Sequence, residues 1–193
     1  MKYIYLAFIS CLILSCSGTK ERVSTENTSE SDSTTEMATD DNLIQNIKTS
    51  KVDSSFTGLL KKDETEAILK SYYTMKDDLV DSDSAKVSAA AGELVKAYPD
   101  SVPQLDSVIV LTTLIRESKD LSVQRQIFKT LSNKLYPILV ANRDPEAEET
   151  MYLQYCPMAL DYEGGSWISS SDEILNPYFG EEMLKCGSIH EKY

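Results

Sequence analysis

The 193 residues contain one histidine, His190. No Glu-x-x-His pair exists, which excludes a carboxylate di-iron centre of the helical-bundle kind. There is no serine-nucleophile motif, no glycine-rich phosphate loop and no Cys-x-x-Cys pair. With those absences no catalytic constellation can be assembled, so the chain is expected not to be an enzyme. Basic residues are scarce too: 19 Lys+Arg stand against 31 Asp+Glu, a formal net charge of −12. Binding phosphate backbones needs a basic face, so nucleic acid is not an expected partner. The acids never adopt EF-hand spacing, which argues against calcium. Nor is any apolar run long enough to span a bilayer. The N-terminal run, residues 3–14, is broken by Ser10 and Cys11.

That short run, behind Met1-Lys2, has the form of an export signal. Ile13-Leu14-Ser15-Cys16 places a cysteine behind a small residue and resembles a bacterial lipobox, with residues 1–15 removed and Cys16 lipidated. Leu14 departs from the pattern, since a small residue is usual there. Residues 16–55 are rich in Ser, Thr, Asp and Glu, and no aromatic occurs between Ser17 and Ser55. Such a composition cannot bury enough apolar surface to offset its ordering entropy, so a disordered tether is expected. The reading is a cell-envelope protein held to the membrane by its lipid alone.

Residues 63–142 carry a helical apolar period and no sustained alternation. Asp63-Glu64-Thr65-Glu66 fits a capping box, followed by Ile68, Tyr72, Met75 and Leu79 on one face. Asp81-Ser82-Asp83 supplies turn and N-cap chemistry for a second helix bearing Val87, Ala90, Ala91, Leu94 and Tyr98. Pro99 and Pro103 end it. A third helix carries Leu105, Val108, Ile109, Thr112 and Ile115. A fourth, from about Ser122, carries Ile127, Phe128, Leu131, Leu135, Ile138 and Leu139, with Pro137 expected to kink or shorten it. Short connections favour antiparallel neighbours, so the expected architecture of 56–144 is mainly α, an up-down-up-down four-helix bundle. Its tyrosines read as core or rim aromatics with wet hydroxyls. Arg125 reads as a partner for an acid or a cap on a neighbouring helix.

Past Asp144-Pro145 the character changes. Residues 145–193 hold Gly164, Gly165, Gly180 and Gly187 and the only tryptophan, Trp167. A small α+β module is expected here: a strand over 151–155, a turn at Glu163-Gly164-Gly165 and a returning strand at Trp167-Ile168-Ser169. A helical turn should end at Asn176-Pro177, and a short helix should run over 181–185. Cys156 and Met158 lie two apart on extended chain, and Met183 and Cys186 three apart on a helical turn, so each pair shares a face. Two thiols and two thioethers converging suit Cu(I) far better than Zn(II). His190 is a further candidate ligand, or else a solvated residue in a fraying tail. The competing reading of the sulfurs is a Cys156–Cys186 disulfide that staples the module.

Several motifs here resemble one family. They are Tyr155-Cys156-Pro157-Met158-Ala159, Gly165-x-Trp167-x-Ser169, Ile174-x-Asn176-Pro177-Tyr178-Phe179-Gly180 and Met183-Leu184-x-Cys186-Gly187. Upstream, Tyr72-x-x-x-Lys76-Asp77-x-Leu79-Val80 and Arg125-x-x-Phe128-x-x-Leu131-Ser132 add to the likeness. Together they are similar to domain of unknown function 3347, frequent among Bacteroidetes lipoproteins, over roughly residues 63–189. The resemblance implies a periplasmic protein associated with heavy-metal efflux adaptors and copper. In that setting Asn176 to Gly180 would form a turn that sets the approach of the helix over 181–185, with Tyr178 and Phe179 shielding the site from water.

Overall fold

The computed structural model describes residues 54–193, residue 101 excepted. The signal segment, Cys16 and nearly all of the expected tether lie outside the described residues. The described chain is mainly helical, with four long helices followed by a small antiparallel sheet. No described helix is long and apolar enough to cross a membrane.

Helix α1 spans Lys62–Val80, α2 Ser84–Ala97, α3 Asp106–Glu117 and α4 Leu121–Asn142. The start of α1 differs from the expected box. Lys61 is extended (φ −78°, ψ 165°) and serves as N-cap, and its N–H donates to Glu64 Oε2 at 2.8 Å. The helix therefore begins before Asp63, and the reciprocal acid is Glu64 rather than Glu66. Asp83 caps α2 by accepting from Lys86 N–H at 3.0 Å, and Asp120 caps α4 by accepting from Ser122 N–H at 2.8 Å. These bonds satisfy amides that the helix itself leaves orphaned. Pro137 does not shorten α4, which continues to Asn142.

The expected apolar faces are buried. Ile68, Tyr72, Met75, Leu79, Val87, Leu94, Val108, Ile115, Phe128 and Leu131 are fully enclosed. Each helix packs on the next in the chain, and α1 also touches α4. The hydroxyls of Tyr72 and Tyr98 are not wet, however. Tyr72 Oη lies 2.6 Å from Ser132 Oγ on α4 and accepts from Ile168 N–H at 3.2 Å, while Tyr98 Oη pairs with Thr112 Oγ1 at 3.1 Å. A buried hydroxyl without a partner would cost its full desolvation, so these rings bring their partners inside with them.

Strands β1 (Tyr152–Cys156), β2 (Gly165–Ser169) and β3 (Ser188–Lys192) form a sheet in the order β2-β1-β3. Cys156 pairs with Gly165, Gln154 with Trp167, and Tyr155 with Ser188. The third strand corrects the picture of a fraying tail: the C-terminus pairs along β1, and Tyr193 exchanges backbone bonds with Met151 at 2.8 and 2.9 Å. The two helical pieces expected between β2 and β3 reduce to bends before Asn176 and a 3-10 turn at Gly180–Met183.

A run of aromatics ties the sheet to the helices. Tyr72 stacks on Phe128 at 5.3 Å, Phe128 meets Tyr178 at 6.0 Å, and Tyr178 meets Trp167 at 6.0 Å between ring centres. The module is thus rooted in the same core as the helices. At the other end, Phe56 packs against that core, and Asn142 clasps the incoming chain by donating to Phe56 O at 2.7 Å and accepting from Leu60 N–H at 3.1 Å.

Candidate functional site

Side chains alternate along β1, so Gln154 and Cys156 share one face while Leu153 and Tyr155 occupy the other. Trp167 lies beside Gln154 across the β1–β2 ladder and donates its indole N–H to Gln154 Oε1 at 2.6 Å. The segment after β2 folds over this face. Gln154 Nε2 donates to Ser171 O at 2.9 Å and Glu173 O at 3.2 Å. A polar residue in the middle of a strand gave no hint of this burial, because a polar face on a strand normally reads as solvated.

The covering segment is fixed by Asn176, which is fully buried. Its Nδ2 donates to Cys186 O at 2.8 Å, its Oδ1 accepts from Tyr178 N–H at 2.8 Å, and its own N–H donates to Leu184 O at 2.9 Å. Gly180 N–H then donates to Asn176 O at 3.1 Å, closing the turn. Arg125 pins it from α4. The guanidinium donates to Pro177 O at 2.8 Å, and to Leu79 O at 3.1 Å and Ser82 Oγ at 2.9 Å. Arg125 thus caps the C-terminus of α1, one of the two roles expected for it, and also joins α1, α4 and the module. Gly180 (φ +59°) sits in this joint, where a Cβ would approach Ser82 Oγ to 2.5 Å.

The two cysteines come together. Cys156 is fully buried at the end of β1, Cys186 is half-buried, and neither is in a disulfide. The Cys156 thiol and the backbone N–H of Met158 both lie near enough to Cys186 to act on its ionisation. Burial, then the neighbouring Cys156 thiol, pushes the Cys186 thiol up to about 11, and only the Met158 N–H opposes the shift. Cys186 N–H donates to Met183 O at 3.0 Å, so the two residues stand on one tight turn. Met158 is half-buried against the core, and Met183 is half-buried on the 3-10 turn.

His190 lies elsewhere. It occupies the bulge between the Leu153–Glu191 and Gln154–Ile189 pairs, and its ring meets the Tyr155 ring edge-on at 5.0 Å. Tyr155 points to the opposite face from Cys156, so the imidazole stands across the sheet from the sulfurs. Among the described residues no group of three or more His, Cys, Asp or Glu gathers in a way that would hold a metal ion.

Residues 68–146 match the family described as a protein of unknown function (DUF3347). Through that segment the chain resembles this family. The DUF3347 match runs from within α1 to just past α4, so it lies on the helices and ends before Cys156. No curated protein and no solved structure matches the chain.

Proposed function

We propose that this protein is an envelope lipoprotein that binds a soft metal ion, Cu(I), through Cys156 and Cys186, with Met158 and Met183 as thioether neighbours. One observation carries the reading: two free thiols, one enclosed and one half-buried, lie near enough for one to act on the other's ionisation. Thiolate and thioether donors select Cu(I), while the lack of a third His, Cys, Asp or Glu among the described residues disfavours Zn(II), which takes four such ligands. Bound metal would replace the Cys186 proton, which burial holds tightly, so affinity should rise with pH. The role we infer is that of a copper chaperone, buffer or efflux accessory, a binding protein and not an enzyme. Its partner would be an envelope protein such as a metal efflux adaptor, with Cys16 as membrane anchor. The four helices, read as an up-down-up-down bundle, form the scaffold.

The test is a titration of reduced, oxygen-free protein beginning at Ser17 with Cu(I) against a competing chelator. Tight one-to-one binding that weakens in Cys156→Ser and in Met183→Leu is expected. Reduced protein that takes up no Cu(I) would sink the reading.

The same proximity of the thiols favours a second reading, a Cys156–Cys186 disulfide staple without metal. Closing that loop of about thirty residues would stabilise the fold by roughly 3–4 kcal/mol on chain-entropy arguments. Counting the free thiols in protein isolated from the envelope separates the two.

A further inference from the structure

On the α4 side of the module lies an open cleft of about 540 Å³ that the metal reading does not use. One wall is α4, with Arg125, Gln126, Lys129 and Thr130, and the floor is formed by Tyr178 and Phe179. The opposite wall is unusual. Leu160, Asp161 and Tyr162 all have positive φ, at 51°, 57° and 70°. They form a left-handed turn closed by Glu163 N–H to Leu160 O at 3.2 Å and Gly164 N–H to Ala159 O at 3.0 Å. Left-handed backbone costs about 1–2 kcal/mol per non-glycine residue, and three in succession are rarely kept without a use.

The charges in the cleft narrow what fits. Lys129 Nζ reaches Glu163 at 3.3 Å and ties α4 to the strained turn. Both members of that pair are already engaged, which leaves Arg125 and Asp161 as the active ends. Arg125 commits Nε and one terminal nitrogen to Pro177, Leu79 and Ser82, which holds its plane fixed. Its second terminal nitrogen has no acceptor among the described residues, and Glu182 acts on it only at longer range. Asp161 makes no ion pair there either. A simple anion entering the cleft would meet Asp161 and Glu163, and a simple cation would meet Arg125 and Lys129. A molecule carrying both charges avoids each conflict, and Leu160, Tyr178 and Phe179 supply an apolar surface for its body.

We propose that this cleft is a binding site for a small zwitterion, an amino acid or short peptide, with its carboxylate on Arg125 and its ammonium on Asp161. The site is independent of the thiols and stands whether or not they take a metal.

The experiment is a backbone-amide NMR titration of the full chain with leucine, and separately with isocaproate and isoamylamine, which keep only the acid or only the amine. Leucine should give saturable shifts confined to residues 122–130, 160–163 and 178–179, with the two single-charge probes bound about tenfold more weakly or less. Asp161→Asn, which tolerates left-handed backbone, should weaken leucine binding by about tenfold while the thermal midpoint stays put. Absence of saturation by leucine throughout the millimolar range overturns the proposal. So does equal binding of isocaproate, or an Asp161→Asn variant that binds as the parent does.

Discussion

Cys186 is the residue of the candidate site whose protonation the fold changes. Its thiol ordinarily loses its proton near 9, and burial beside Cys156 raises that to about 11. The folded chain therefore holds the proton more tightly than the unfolded chain. The resulting stabilisation is complete below pH 9 and is lost as pH climbs toward 11. The buried tyrosines have the same sign but ordinary values near 10, with Tyr73 held up to about 12 by burial. Between pH 9 and 10 the cysteine should dominate. Urea midpoints measured across that interval should fall for the parent and stay flat for Cys186→Ser; parallel curves would contradict the assignment. Asn176 is the other residue of consequence. Removing its side chain leaves the Cys186 carbonyl and the Tyr178 amide without partners, so Asn176→Ala should cost about 2–4 kcal/mol in urea unfolding. Asparagine before proline reads in the sequence as a turn; that it faces inward and holds the cysteine follows only from the fold.

At the scale of elements, the helices follow their pattern closely because a 3.6-residue period fixes which side chains share a face before any partner is known. The module is less legible. Its first two strands were marked by the Glu163-Gly164-Gly165 turn, yet β3 carries Ser188, His190, Glu191 and Lys192, a composition that looks solvated. Such a strand exists because β1 offers it a ladder, not because of its own propensity. The joint between helices and sheet is similarly tertiary. Tyr72 serves α1, α4 and β2 at once through one hydroxyl. Tyr72→Phe keeps the ring and strands the buried Ile168 N–H, so a loss of about 1–3 kcal/mol is expected by chemical denaturation. A change below about 0.5 kcal/mol would mean the hydroxyl bridge is not formed.

For the described molecule as a whole, the aromatic run from Tyr72 through Phe128 and Tyr178 to Trp167 predicts a single cooperative unit. The probes needed are already in place. Trp167, the only tryptophan, is fully buried in the sheet and reports the module by fluorescence, whereas far-UV circular dichroism reports the helices. Both should unfold with one midpoint. A module that melts first would show that the thiol turn and the helices are separately stable.

Pattern along the chain was enough to determine the helical body, its buried faces and the change of character after Pro145, and to single out Cys156 and Cys186 as candidate soft donors. Those features depend on local period, turn chemistry and donor type, which neighbours in sequence carry by themselves. Tertiary structure alone decided that Cys156 and Cys186 come near each other, that His190 stands across the sheet from them, and that Arg125 and Asn176 hold the turn between. Thirty residues separate the sulfurs, and no local rule sets a distance over that span. It is set where the covering segment closes on β1, by Asn176 from inside the turn and by Arg125 from α4.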